Sequence, residues 1–182
     1  MIDTQITLTD VLAEFQSYPR NITRAVVRAA NRAIKSARTH MVREIAADLG
    51  LKSGDVRDAM KMREATFFNP EARLATNLAR IPLIKFGARG PEPSRGRGRG
   101  VTYKLGGSRN RVEHGFIATM GGHRGVFARV GKQRLPVSEL HGPSLGRVFA
   151  KFRPGGIEKA QEAFAKNFDH ELAYARTHAG TD

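Results

Sequence analysis

Histidines beside carboxylates are the residues of this chain whose types and spacing could support metal or acid–base chemistry. Six histidines occur in the sequence, and Glu113-His114 and Glu139-x-His141 are close pairs of glutamate and histidine in the strand and turn region. Each pair supplies a single carboxylate, whereas hydrolytic metal sites take several ligands, and the chain contains no HExxH motif. The sequence therefore predicts no metal site. A metal-dependent nuclease that uses His123 is a remote alternative.

A glycine-rich stretch and the absence of cysteine bear on the other forms of catalysis. Gly121 to Gly125 has the glycines of a phosphate-binding loop, yet no Gly-Lys-Ser/Thr follows, and a strand is expected where such a loop needs a helix N-terminus. Without cysteine the chain has no disulfide, thiolate metal site or cysteine nucleophile. We therefore expect neither an enzyme nor a bound cofactor.

The composition fits one folded domain with a strong positive charge. With 182 residues and 40% hydrophobic content the chain can bury a core, and we expect residues 1–182 to form a single domain. No apolar run is long enough to span a bilayer, and the N-terminal residues lack the pattern of a secretory signal, so we expect synthesis in the cytoplasm. The net charge is +14, and residues 85–111 carry eight Lys/Arg against one acidic residue. Such a field attracts a polyanion or an acidic protein surface.

A long amphipathic helix is predicted near the start of the chain. Apolar side chains recur every three to four residues from Ile22 to Leu49, and Asn21 suits the N-cap. The many alanines in this apolar stripe favour close approach to a flat partner. The basic residues on the opposite side form a stripe that is either a solvated face or a face that meets acidic groups or nucleic acid: Arg24, Arg28, Arg32, Lys35 and Arg38.

Two further helices are predicted from the same kind of periodicity. Ser53 suits the N-cap of a short helix that runs to about residue 62. The closing helix is expected to begin at Ile157, after the breaking residues 154–156, and to end near Gly180. Glu158 would then lie near its N-terminus, where the helix dipole favours an anion.

Between the helices the chain has the short runs and turn residues of a small antiparallel sheet. Runs rich in β-formers predict strands at residues 65–68, 73–77, 81–86, 101–105, 116–120, 125–130 and 134–137. The last two flank Gly131-Lys132-Gln133, which suits a hairpin turn, and Pro136 confines its run to a sheet edge or an exit into a loop. Residues 141–144 are then expected to reverse the chain, with Ser144 capping a following helix. The predicted fold class is α+β, a small bent antiparallel sheet packed by the two long helices.

Residues 87–100 form a basic, glycine-rich segment without a bulky apolar residue to anchor it, and we expect a flexible insertion. Its Arg-Gly run resembles segments that bind single-stranded nucleic acid, while the alternative is a solvated tip that orders against an acidic neighbour. The residues here and just beyond that could face DNA or acidic groups are Arg95, Arg97, Arg99, Arg109 and Arg111.

The stretch from Gly122 to Ser144 has no catalytic arrangement and is instead marked by a particular set of residues. These are Gly122-His123-Arg124-Gly125-Val126-Phe127, Arg129, Gly131-Lys132, Arg134-Leu135-Pro136-Val137, Glu139-Leu140 and Gly142-Pro143-Ser144. Together with the runs at residues 80–86 and 116–120, this set resembles the signature of the phage and prophage minor tail protein Z family.

The resemblance implies a structural tail completion protein at the head-proximal end of a phage tail, located in the virion and acting in tail maturation and head–tail joining through protein contacts. Its partners would be the tail terminator, tail tube or connector and further copies of itself, in a ring that we expect to be sixfold. The residues expected at the assembly interface are His123, Arg124, Gly125, Phe127, Arg129, Lys132, Arg134, Pro136, Gly142, Pro143 and Ser144.

Within this motif, the apolar side chains are expected to lie in the core and the basic side chains to lie on the surface. Val126, Phe127, Val130 and Leu135 would alternate sides and hold the hairpin in the core, while the cations project toward partners or toward DNA passing through the tail. A nucleic-acid-binding protein that uses the basic middle region, with non-specific contact to phage DNA, is the alternative function.

Overall fold

Long helices and short antiparallel strands make up the part of the chain that the computed structural model describes, residues 5–7, 20–69, 71–92, 100–131 and 133–177. The helices are α1 (Arg20–Leu49), α2 (Ser53–Asp58), α3 (Leu145–Thr177) and a 3-10 helix at Leu83–Phe86. The strands are β1 (Gln5–Thr7), β2 (Met60–Arg63), β3 (Arg73–Thr76), β4 (Arg80–Pro82), β5 (Val101–Leu105), β6 (Ser108–Val112), β7 (Phe116–Met120), β8 (His123–Arg129), β9 (Val137–Glu139) and β10 (His141–Ser144). The predicted α+β class is confirmed. None of the helices in these ranges has the length and apolar character needed to cross a membrane.

The two long helices pack side by side and run in opposite directions. Lys151 Nζ, near the start of α3, lies 2.6 Å from Asp48 Oδ1 at the end of α1. Near the end of α3, Glu171 Oε1 lies 2.9 Å from Arg32 on α1. Small side chains let α1 approach its neighbours closely, and the alanines of α1 that are almost fully buried are Ala25, Ala29, Ala30, Ala33 and Ala37.

The strands form four small antiparallel sheets around these helices. The orders are β1-β3-β2 and β7-β8-β9 for the three-stranded sheets, with β5-β6 and β10-β4 as two-stranded pairs. In β3 the side chains alternate, because Leu74 and Thr76 are buried while their neighbours are half-buried. The apolar cluster that joins helices and sheets includes Ile34, Met41, Ile45, Leu74, Phe86, Val101, Val126 and Phe149. Burying each such side chain contributes roughly 1.5–3 kcal/mol.

Helix boundaries differ from the prediction at four places. α1 begins at Arg20, so Asn21 is not its N-cap. α2 has Lys52 as N-cap without a side-chain hydrogen bond, so Ser53 does not cap it. The helix also ends at Asp58, because the chain from Met60 pairs with β3. A side-chain hydrogen bond from Thr76 Oγ1 to the Ala59 carbonyl, 3.1 Å long, fixes this crossing from helix to strand.

The fourth difference is the start of the closing helix, which was predicted at residue 157. α3 begins at Leu145 and continues through Pro154, so Glu158 lies inside the helix and not at its N-terminus. A proline inside a helix removes one hydrogen bond and costs about 3 kcal/mol. Leu145 and Phe149 lie in the turns before it and are almost fully buried, which offsets that cost. The predicted end near Gly180 lies outside the described residues.

Two strand assignments were also wrong. Residues 65–68 form a turn, in which the Thr66 amide donates to the Asn69 carbonyl at 2.7 Å and Phe68 is 93% exposed. The chain from 81 to 86 is strand only as far as Pro82 and then turns into the 3-10 helix. β6 was not predicted, because its arginines and polar residues hide the strand pattern. β6 forms because it pairs with β5 in a hairpin whose turn is Gly106-Gly107, both at positive φ.

Glu171 carries a buried charge at the contact between the long helices. Its side chain is 5% exposed, and its two carboxylate oxygens lie 3.4 Å from Arg28 and 2.9 Å from Arg32. Both guanidinium groups remain about half exposed to solvent. The carboxylate therefore neutralises two cations that are one turn apart on α1, at the cost of its own desolvation.

We predict that Glu171→Gln destabilises the protein by about 1–3 kcal/mol, because two adjacent arginines lose their shared counter-charge beside a buried amide. The free energy of unfolding in urea measures this loss. Glu162→Gln is the matched control on the same helix. Glu162 is exposed, and its hydrogen bond to Lys159 lowers the pKa of its carboxyl. We expect the control to unfold at the wild-type urea concentration, and equal effects of the two variants would contradict the assignment.

Candidate assembly surface

β8 is the central strand of its sheet and positions the first half of the motif. Phe127 pairs with Phe116 of β7 on one side and with Glu139 of β9 on the other. Val126 and Phe127 are both buried, so both faces of β8 are covered, and the Phe127 ring stacks on Phe116 with 6.3 Å between centroids. The prediction that Val126 and Phe127 hold this strand in the core is confirmed.

The second half of the predicted hairpin is wrong. β8 ends at Arg129, which pairs with Val137, so residues 130–136 form the connection and not a three-residue turn. Arg134 and Pro136 lie in this connection, where the Val130 amide donates to the Pro136 carbonyl at 3.0 Å. Lys132 lies outside the described residues. The tight turn of this sheet is Gly121-Gly122, between β7 and β8.

The connection at residues 130–136, which we call the β8–β9 loop, presents apolar side chains to solvent. Val130 is 63% exposed and Leu135 is 66% exposed. The prediction that these two side chains lie in the core is therefore wrong. The flanking Arg129 and Arg134 are exposed as well. Exposed aliphatic side chains beside cations are typical of a surface that binds another protein.

Glu139 lies between two histidines of the motif. Its Oε2 is 3.1 Å from His123 Nε2 and 3.9 Å from His141 Nε2, and its backbone carbonyl is 3.2 Å from His141 Nδ1. Oε1 is buried without a hydrogen-bond partner in the described residues. No group of three or more His, Asp or Glu in the described part of the chain has the geometry of a metal site. The contacts link β8, β9 and β10.

Gly125 is packed too tightly for any side chain. A Cβ at this position would lie 2.8 Å from Glu139 Oε1 and 3.0 Å from Phe127 Cε2. Gly142 is similar, because a Cβ there would lie 2.7 Å from the ring of Phe86. At these two glycines the Glu139 carboxylate and the rings of Phe127 and Phe86 pack directly against the backbone of β8 and β10.

Pro143 and Ser144 belong to β10, which pairs with β4, and the expected chain reversal at residues 141–144 is wrong. Ser144 Oγ donates to the Leu78 carbonyl at 2.8 Å and does not cap α3. Gly142, Pro143 and Ser144 instead line a groove of about 460 Å³ together with Leu78, Arg80 and Arg147. Leu78 is 58% exposed.

The basic stripe of α1 faces acidic groups of its own chain. Arg28 and Arg32 contact Glu171, and Lys35 Nζ lies 2.8 Å from Glu64 Oε1. Arg24 lies one turn before Arg28 on the same helix and is exposed. In the motif, Arg124 is likewise 3.1 Å from Glu92. Arg28, Arg32 and Lys35 thus pair with acidic groups of the same chain while about half of each side chain stays exposed to solvent.

Two of the other predicted cations lie on the β5–β6 hairpin. Arg109 and Arg111 are exposed on β6, and the Arg109 guanidinium donates to Thr102 Oγ1 at 3.4 Å. Arg95, Arg97 and Arg99 lie outside the described residues. Two cations that the sequence analysis did not single out, Arg89 and Lys104, lie on the same side of this hairpin. Alternation through β5 would have indicated Lys104, whereas Arg89 joins only by tertiary pairing.

We predict that Gly125→Ala destabilises the protein by about 1–3 kcal/mol, because the new methyl group collides with Glu139 and Phe127. Gly54→Ala is the control, since a Cβ there has no atom within 4 Å and lies in α2. In a helix this change stabilises by up to about 1 kcal/mol. Guanidinium unfolding measures both, and a Gly125→Ala protein as stable as wild type would contradict the tight packing.

Comparison with known protein families gives a match over most of the chain. The family model described as prophage minor tail protein Z (GPZ) matches residues 10–177. A search of curated proteins gives no match, and neither does a search of solved structures. The match contains both long helices from Arg20 to Thr177 and the whole motif that carries the resemblance. The chain belongs to the prophage minor tail protein Z family.

Proposed function

We propose that this tail protein completes the tail at its head-proximal end and takes part in joining the tail to the head. The observation that carries the proposal is the family match over residues 10–177, which makes the chain a structural protein of a phage tail. Its partners in this proposal are the tail terminator, the tail tube or the connector. It acts through protein contacts and without catalysis.

Two surfaces of the motif support a role in protein contacts. The β8–β9 loop offers Val130 and Leu135, and the groove offers Leu78 beside Arg80 and Arg147. Neither arginine has an ion pair in the described residues, so an acidic partner would supply the missing charges. The motif residues between these surfaces are engaged within the fold and give them a fixed shape.

The same pair of surfaces supports our proposal of a ring of identical subunits. Head-to-tail contacts in a ring need two different and complementary patches on each subunit, because every copy offers one patch to the neighbour on each side. The loop and the groove are different in shape and are formed by different residues. We propose that they contribute to such a ring, sixfold to match the tail tube.

The decisive test is to disrupt the gene in the phage or prophage that carries it and to examine the particles by electron microscopy. We expect tails that fail to join heads, or joined particles that do not infect. Normal, fully joined and infectious particles would refute the proposal. Quantitative mass spectrometry of wild-type virions should give about six copies per particle if the ring is sixfold.

A charge-reversed groove should block assembly without unfolding the protein. We predict that Arg80→Glu with Arg147→Glu fails to restore infectivity to the disrupted phage, because the groove would repel an acidic partner. The control is Lys61→Glu with Lys166→Glu, which changes the net charge equally at exposed sites away from the groove. Thermal unfolding shows that each variant is folded. Full infectivity of the groove variant would exclude the groove from assembly.

A further inference from the structure

The outer face of the β5–β6 hairpin carries a compact group of cations. Residues that pair across strands share a face of the sheet, and Thr102 pairs with Arg111 while Lys104 pairs with Arg109. On its other edge Thr102 pairs with Arg89 through two backbone hydrogen bonds of 2.7 and 2.8 Å. Arg89, Lys104, Arg109 and Arg111 therefore share one face, and all four are exposed.

We propose that this face, the hairpin cationic face, binds the phosphate backbone of duplex DNA without regard to base sequence. The proposal concerns binding alone and does not depend on where in the tail the protein lies. The sequence indicates a possible nucleic-acid contact anywhere in the basic middle region, whereas the hairpin cationic face is one defined surface within it.

Two like charges are paired directly across this hairpin. Lys104 and Arg109 are directly opposite each other, and like charges in this position destabilise an antiparallel pair. None of the four cations has an ion pair within the described residues. An anion bound over this face removes the repulsion, so the free hairpin is arranged for a ligand of opposite charge.

Several acidic residues of the chain lie beside cations other than those of the hairpin. Acidic residues neutralise the cations of α1, through Glu171 and Glu64, and Arg124 of β8, through Glu92. The hairpin face has no such partner in the described residues. The hairpin face is therefore open to an external polyanion, whereas Arg28, Arg32 and Lys35 of the helical stripe already pair with acidic groups of the same chain.

The residue types on this face favour a phosphate backbone over a protein surface. Arginine, lysine and threonine are typical phosphate contacts, and these are the residue types that form the face. The apolar side chains Val101, Leu105 and Val112 point to the opposite side and pack against the core. A protein interface would be expected to have an apolar centre, which this face does not have.

Binding to a fluorescent duplex of about 30 base pairs, measured by anisotropy from about 50 to 300 mM NaCl, tests the proposal. The test variant carries Arg89→Gln, Lys104→Gln, Arg109→Gln and Arg111→Gln. The control carries Lys52→Gln, Lys61→Gln, Arg63→Gln and Lys166→Gln, which are exposed cations outside the hairpin, so that both variants lose the same charge.

We expect the hairpin variant to bind at least about tenfold more weakly and its slope of log affinity against log salt to fall by about 3 to 4, one for each lost phosphate contact. The control should lose less than about threefold. Equal losses would overturn the proposal, because binding would then follow net charge. Unchanged binding by the hairpin variant would also overturn it.

Two further measurements distinguish a DNA contact from a folding defect and from binding of an acidic protein. The hairpin variant should melt at or above the wild-type temperature, because the like-charge repulsion is gone; should it fail to fold, Lys104→Gln alone must still weaken binding and lower the salt slope. Poly-glutamate of the same total charge should compete for this face at least about tenfold less well than DNA. Equal competition would assign the face to an acidic protein and overturn the proposal.

Discussion

The antiparallel contact between α1 and α3 is the constraint on which the rest of the structure depends. It joins residues from opposite ends of the chain, and Arg28 and Glu171 meet although 143 positions separate them. Alanines that are almost fully buried on α1 give this helix a narrow packing face, and the buried Glu171 fixes the register by pairing with Arg28 and Arg32. The small sheets could not bury enough apolar surface alone, since isolated hairpins of two strands are only marginally stable in water.

The same contact explains how a chain with a net charge of +14 folds compactly. Repulsion among the many cations opposes a compact state. Acidic residues beside the cations of the helices reduce this repulsion and so stabilise the fold. Glu171 and Glu64 neutralise cations of α1, and Asp48 pairs with Lys151 of α3. Positive charge is left mainly on strands and loops, where a virion protein can meet other molecules.

The motif that carries the family resemblance is largely a device for holding shape. Gly125 and Gly142 leave room for the side chains that pack against them, Phe127 fills the core, and Glu139 links His123 to His141. The residues that this framework leaves exposed, in the β8–β9 loop and in the groove beside Leu78, are the ones free to contact partners. Two histidines and a glutamate, residue types that can take part in acid–base chemistry, here form a contact between three strands.

Local patterns in the sequence determined the α+β class, the long first helix and the strands at residues 101–105 and 116–120, because their periodicity reflects which side chains are buried. Tertiary structure alone decided that α3 continues through Pro154, that the arginine-rich run at residues 108–112 is a strand, and that the β8–β9 connection is a loop. Each outcome depends on a pairing or packing partner that the segment's own residue pattern does not show: the core around Leu145 and Phe149, the β5 strand, and the pairing of Arg129 with Val137. The ion-pair partner of the basic stripe on α1 was also decided by tertiary structure. The sequence shows a row of cations but does not show that Glu171 pairs with two of them.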